Sequence, residues 1–311
     1  MEGGRASPGD VVSERDLIGY GEHPPAVPWP GGAKVAVSVV LNYEEGAESS
    51  IAHGDEADED ISVFGGWSSP PERRSMMKES FFEYGSRAGV WRLLGILREF
   101  EVPSTVFACG MALERNPQVA EALVREGHEV ACHGYRWQGT VGMPEEDERE
   151  EIRRARESVE KATGVRPVGF YLRDGITEKT REILVEEGFR YDSNAYCDDL
   201  PYFVPAGDAE HLVVPYAGDT NDARFWGPGS LGTADDFVAV LSDSLDMLLH
   251  EGNTVPKLMS VGLHCRIGGR PGVAIALRRF LQYALAQEGV WFATRADIAQ
   301  WWIDHAPRGD R

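Results

Sequence analysis

The sequence predicts a mostly parallel α/β fold closed into a barrel. Short apolar runs at 34–41, 104–108, 129–132, 167–171 and 258–263 read as strands, and segments with helical spacing follow most of them. Such alternation implies parallel pairing, because each crossover helix returns the chain to the same end of the sheet. Polar residues stand where several of these runs end or just beyond: Glu44, Glu45, His133, Tyr171, Asp192 and His264. A barrel of parallel strands gathers all its carboxyl ends on one rim, where such barrels carry their chemistry. A chain of 311 residues, 42% hydrophobic, can bury a large core, and one barrel domain over 34–311 is expected after an arm over 1–33.

Taken in order, the arm is rich in Gly and Pro, shows no sustained period and contains Tyr20 and Trp29, which would be exposed unless it packed on the barrel or a neighbouring subunit. Helices are expected over 87–100, 112–126, 145–162, 178–187, 234–249, 273–286 and 296–303. Val90, Leu93, Leu94, Leu97 and Phe100 have the spacing of a helix laid on a sheet and read as core. The acidic and basic run 145–157 reads as a solvated helix face. Two stretches break the alternation, 46–86 and 193–230, and connections of that length on a catalytic rim are expected to wall or cover it.

Composition excludes several functions. A formal net charge of −20 and a pI near 4.8 repel nucleic acid and anionic membranes. No apolar run approaches the roughly 20 residues of a membrane span, and the first residues lack a basic start and an apolar core, so a cytoplasmic protein is expected. Cys109, Cys132, Cys197 and Cys265 form no C-x-x-C pair, so neither a zinc cage nor a disulfide framework is indicated.

The rim residues suggest proton-transfer chemistry. Glu44 and Glu45 are adjacent in an extended segment, so one can enter the barrel mouth while the other is held by neighbouring donors. A carboxylate in a closed pocket has a raised pKa, which suits it to taking a proton from water. His133 and His128 flank one apolar run at opposite ends, which leaves His128 a structural role. His264 can donate a proton to a leaving nitrogen, and Arg266 beside it can bind a carbonyl or carboxylate oxygen.

Several stretches together resemble the polysaccharide-deacetylase superfamily, and within it the allantoinase branch that works without a metal. They are 41–46 (LNYEEG), 79–91 (ESFFEYGSRAGVW), 133–137 (HGYRW), 191–193 with 198–202 (YDS, DDLPY), Asn221-Asp222 and 263–266 (LHCR), and the likeness runs from about residue 16 to the end. The resemblance implies an irregular (β/α) barrel. In the metal-using members the first motif ends in two aspartates and the third of these stretches holds two histidines; here the matching positions are Glu44, Glu45, His133 and Trp137. An indole nitrogen is a donor only, so Trp137 cannot ligate. Glu45 and His133 alone fall short of the three protein ligands usual for catalytic zinc, which leaves no metal cofactor as the expectation, with His53, Asp55 or Glu79 the conceivable substitutes. After Tyr171 the chain departs from the allantoinase pattern: Leu172-Arg173-Asp174-Gly175 is one residue longer and differently charged, which bears on the substrate more than on the reaction.

The expected function is hydrolysis of a cyclic C–N amide, with allantoin the first substrate to try. Glu44 or Glu45 would deprotonate water, His264 would protonate the departing nitrogen, and His133 would orient one of them or polarise the carbonyl. Arg136, Arg173 and Arg266 are candidates for the substrate carbonyl or product carboxylate, Asp198, Asp199, Asn221 and Asp222 for accepting from substrate N–H groups, and Trp137 and Tyr171 are further candidate substrate-binding residues. Two rivals remain: a cyclic imidase or polysaccharide or N-acetyl deacetylase that depends on zinc or another divalent metal, and a non-catalytic barrel that binds a small ligand or serves in an assembly. The partners expected are a small molecule and further copies of the chain.

Overall fold

A computed structural model describes residues 15–59, 73–225 and 230–307. The chain forms β1 (Val35–Tyr43), α1 (Met76–Tyr84), α2 (Val90–Glu99), β2 (Ser104–Ala108), α3 (Gly110–Arg115), α4 (Pro117–Arg125), β3 (Glu129–Cys132), α5 (Glu145–Thr163), β4 (Gly169–Phe170), α6 (Thr180–Glu186) and β5 (Tyr191–Asp192). It continues through β6 (Tyr202–Ala206), β7 (Ala209–Val213), α7 (Ala234–Glu251), β8 (Lys257–His264), α8 (Pro271–Ala284), β9 (Val290–Phe292) and α9 (Arg295–His305). The strands form one sheet in the order β6-β7-β5-β4-β3-β2-β1-β8, with β9 paired to the first residues of β1. All pairings are parallel except β6 with β7. The result is an irregular (β/α) barrel. Among the described residues its two ends do not pair as strands; the segment leading to Asn221 spans the opening, where Gly262 N donates to Thr220 O and Asn221 bridges to Gly262.

Alternation along β1 builds the two layers. Val35, Val37, Val39, Leu41 and Tyr43 face the helices and pack with Val90, Leu93, Leu94 and Leu97 of α2. Residues of the other parity line the barrel interior. Low in the barrel, the buried Arg295 donates to Ser193 Oγ, Ser260 Oγ and the carbonyls of Val214 and Pro215. Above it Val40, Phe107, Ala131 and Tyr216, with Tyr171, make a plate of apolar and aromatic side chains that floors the rim.

Several details differ from expectation for local reasons. The helix expected over 112–126 is broken at Asn116, which leaves the helical region (φ −133°, ψ 77°), as the residue before a proline is biased to do. The connection over 46–86 carries α1, capped by Ser75, which runs through a π-helical turn at Gly85–Gly89 into α2. The connection over 193–230 holds the β6–β7 hairpin, turned at Gly207 with φ 61°; the Gly-Asp pair at its tip is the usual hairpin signal. The charged run on α5 is not wholly solvated: Glu148 is buried and accepts from Thr140, Thr177 and Thr180. In the arm, Trp29 is buried against Trp291 and Trp302 and donates to Lys257 O at 2.8 Å.

Candidate active site

Glu44 is the hub of the rim. It follows β1 on the interior parity, and its side chain is 1% exposed. Oε1 lies 3.2 Å from His133 Nε2 and 3.7 Å from His264 Nε2, and Oε2 accepts from Arg266 Nη1. Glu45 turns the other way, as adjacent residues of an extended segment must. Its Oε2 accepts from the Glu44 backbone N–H at 3.1 Å, while Oε1, 3.9 Å from Arg266 Nη1, has no hydrogen-bond partner. Gly85 makes room for it, since a Cβ there would lie 2.1 Å from Glu45 Oε1.

Each imidazole is held by its far nitrogen. His133 Nδ1 faces the carbonyl of Tyr171 at 2.8 Å; a carbonyl only accepts, so Nδ1 donates and Nε2 is turned to Glu44. Its ring stacks on Tyr171 with an interplanar angle of 12°. His264 Nδ1 meets Asp222 Oδ1 at 2.7 Å, and Asp222 Oδ2 accepts the backbone N–H groups of His264 and Gly268. Asp222 is fully buried, so this aspartate, a histidine and Glu44 form a continuous polar chain.

The electrostatics set Glu44 and His264 in opposite charge states. Burial works against an ionised Glu44, but Arg266, then His264 and His133, outweigh it and hold its carboxyl well below the ordinary 4.5. Burial likewise opposes a charged His264 ring, yet Asp222 and Glu44 raise its pKa above the ordinary 6.5. Glu45 is pushed up to about 7 by burial, against the pull of Arg266 and with the charge of Glu44 adding.

Not every residue named from the sequence joins this group. Arg266 is buried and clamps the glutamates, its guanidinium 4.6 Å from the Trp137 ring centre and 4.8 Å from that of Phe82, rather than standing free for a substrate oxygen. Arg136 is taken by Asp55 and the carbonyl of Glu48. Arg173 stacks 3.8 Å over Trp137 and pairs with Glu59 at 2.8 Å and Asp174 at 2.9 Å. Asn221 and Asp222 are not free acceptors for a ligand: Asn221 Oδ1 accepts from Ala223 N, and both Asp222 oxygens are used as described. Asp198 and Asp199 lie at the amino end of β8, where Asp199 O accepts from Leu258 N. They line a cavity of about 670 Å³ beside α7, which the floor residue Tyr216 also borders. The length from Leu258 to His264, about 20 Å at ~3.3 Å per residue, separates them from Glu44.

The donor set does not suit a catalytic metal. Where a second imidazole would be needed stands Trp137, and the cation lying between the two glutamates is the Arg266 guanidinium. His53 and Glu79 line a chamber of about 290 Å³ with Glu45, but Arg115 contacts His53 and Arg74 holds Glu79 in a two-pronged pair; Asp55 is spent on Arg136. Among the described residues no group of three or more His, Cys, Asp or Glu is placed to hold a metal ion. Nor is any helix there long and apolar enough to cross a membrane.

Sequence reasoning missed the Asp222–His264 pairing and the contribution of Phe82 and Gly85, which sit in a stretch read as a connection. It also missed Asn42 and Tyr216, joined by a hydrogen bond of 3.1 Å. The adjacency of Asn42 to the glutamates was the available signal; Tyr216 carried none.

Comparison with known proteins points one way. The pattern of the polysaccharide deacetylase family matches residues 76–191. A putative polysaccharide deacetylase of Schizosaccharomyces pombe is 37% identical over 96% of this chain and 99% of its own length. The crystal structure of a probable polysaccharide deacetylase from Pseudomonas aeruginosa PAO1 superposes with a TM-score of 0.90 at 48% identity, over 95% of this chain and 99% of that one. The crystal structure of PuuE allantoinase does so with a TM-score of 0.89 at 46% identity, over the same shares of 95% and 99%.

Proposed function

The chain belongs to the polysaccharide-deacetylase family, and we propose that it hydrolyses a C–N amide bond of a small cyclic ureide, allantoin first, without a metal. The observation that carries the reading is the chain Asp222–His264–Glu44–His133, closed by Arg266. It offers a carboxylate kept ionised and an imidazole kept charged in the same pH range, which are the states a base and an acid need at the start of amide hydrolysis.

Glu44 is the base of this scheme. Water held against it loses a proton as its oxygen attacks the carbonyl carbon, forming a tetrahedral intermediate. Collapse breaks the C–N bond, and His264 Nε2 gives its proton to the departing ring nitrogen while Asp222 keeps the imidazole aligned. His133, with Nδ1 fixed on Tyr171 O, keeps Glu44 in place from the other side. The ring reading rests on the likeness to PuuE allantoinase, and the equal likeness to the Pseudomonas protein makes an N-acetyl sugar the second substrate class to try. Self-association belongs to the proposal too, since Leu17 and Ile18 of the arm are 79% and 82% exposed.

The test is turnover by purified protein after exhaustive chelation, on allantoin, other hydantoins, cyclic imides and N-acetyl sugars. Ring opening unaffected by chelation is expected. Activity lost on chelation and restored by zinc would reject the metal-free part, and deacetylation without ring opening would reject the substrate class.

A further inference from the structure

Amide hydrolysis at this rim lacks one part: a donor for the carbonyl oxygen as it becomes an oxyanion. The cations named for that work are spent on carboxylates, Arg266 on Glu44, Arg136 on Asp55 and Arg173 on Glu59. An account of the hydrogen bonds at Tyr216 supplies a candidate. Its hydroxyl oxygen lies 3.1 Å from Asn42 Nδ2 and 3.2 Å from Asn221 Nδ2. Both amides have a fixed orientation. Asn42 Nδ2 also donates to the carbonyl of Leu263 at 3.3 Å, and Asn221 Oδ1 accepts from Ala223 N at 2.9 Å. The phenol oxygen therefore accepts two N–H groups, which uses both its lone pairs and leaves its own hydrogen to give. Among the described residues no acceptor takes that hydrogen.

The position of the hydroxyl is as specific as its bonding. Gly262 lies two residues before His264 in β8, so the two share a strand face. A Cβ at Gly262 would lie 2.3 Å from the Tyr216 hydroxyl and 2.3 Å from Asn221 Nδ2. The phenol thus occupies the space a side chain would take one step below the acid. Asn42, its other partner, stands one step below Glu44 in β1 by the same parity, and its register partner in β8 is His264. The ring is wedged against Tyr171 and Phe107 in the floor, with centroids 5.1 and 5.6 Å away. Burial pushes the Tyr216 pKa up, so the phenol keeps its proton.

Building on the hydrolase reading above, we propose that Tyr216 is a catalytic residue, whose O–H, pinned by Asn42 and Asn221, donates to the substrate carbonyl oxygen and to the oxyanion it becomes. No proton is transferred; the hydrogen bond strengthens as negative charge develops, which is where a fixed donor in a dry site acts most.

Two substitutions and a binding measurement test this. Tyr216→Phe removes the O–H and keeps the ring; Asn221→Asp keeps the phenol but gives it an internal acceptor, which withdraws the hydrogen from the substrate. Each is expected to lower kcat by about a hundredfold, in the range found for losing one oxyanion donor, with a smaller change in KM and a lowered melting temperature but a retained fold, because Tyr216→Phe strands two buried amide donors and Asn221→Asp buries a carboxylate. Hydantoin binding by calorimetry should weaken roughly five- to tenfold in both, as for a neutral hydrogen bond worth about 1 kcal/mol. Turnover and binding like wild type in two folded variants would overturn the proposal. If wild-type protein opens no ureide or imide but binds hydantoin, and both variants bind it more weakly, the hydrolase reading falls and the donor stands. No ureide binding by wild type would sink both.

Discussion

Replacing Asp222 by Asn removes one charge beneath the rim and leaves almost every heavy atom in place. Asp222 Oδ2 accepts two backbone N–H groups, from His264 at 2.7 Å and Gly268 at 2.6 Å, so the new side chain must keep its oxygen there. Its NH₂ then faces His264 Nδ1, which now donates at 2.7 Å and would have to accept instead. The neutral ring would carry its hydrogen on Nε2, and the charged ring would lose the first of the two partners that raise its pKa. A charge-assisted bond of this kind contributes about 1.5–3 kcal/mol. At roughly 2–4 °C per kcal/mol for a domain of this class, Tm should fall by about 3–12 °C and the fold should persist. Loss of the correctly held acid predicts a fall in kcat of about 10²–10⁴-fold. Rate profiles over pH on the best substrate, with thermal melts alongside, make the assay. The alkaline limb should move to lower pH. A variant with kcat within about twofold of wild type and an unmoved limb would show that Asp222 does not govern the acid.

The remaining predictions concern the glutamates and pH. Glu44→Gln should lower kcat by about 10²–10⁴-fold, and should destabilise by less than the roughly 3–5 kcal/mol of a broken buried pair because Glu45 stays near Arg266; Glu45→Gln should leave most of the turnover, and the reverse pattern would exchange their roles. For wild type, the base is lost only as pH falls through the lowered pKa of Glu44, so the acid limb should lie below the ordinary 4.5. The acid is lost as pH rises through the raised pKa of His264, which puts the alkaline limb above the ordinary 6.5. A plateau of kcat/KM between those limits is expected, and a profile that declines from pH 6 downward would contradict this assignment.

Much of the architecture was legible because it follows from local chemistry. An apolar run followed by a helical period can be read residue by residue, and parallel pairing then brings the ends of β1, β3 and β8 to one rim without further information. That is why Glu44, His133 and His264 could be named together. The π-helical turn escaped notice because it is short and has neither period, and the β6–β7 hairpin because its strands lack alternation, although Gly207-Asp208 marks its turn. The helix over 112–126 was drawn through Pro117, a stop signal plainly present in the chain.

Partnership is a different matter. Whether an arginine near a strand end greets a ligand or neutralises a neighbour depends on what lies within about 3 Å of it, and sequence distance says nothing of that. Arg266 and Glu44 are far apart in the chain, as are Asp55 and Arg136, and only folding turned two apparent substrate contacts into internal clamps. The same holds for the carboxylates: Asp222 became a support for His264, while Asp198 and Asp199 went to the opposite end of β8. Residue types and their order along the chain specified the barrel and the titratable groups gathered at its mouth. Packing and electrostatics in three dimensions turned the two glutamates to opposite sides and gave them opposite pKa shifts, because burial and the nearest charges, not identity, set the state of a carboxyl group.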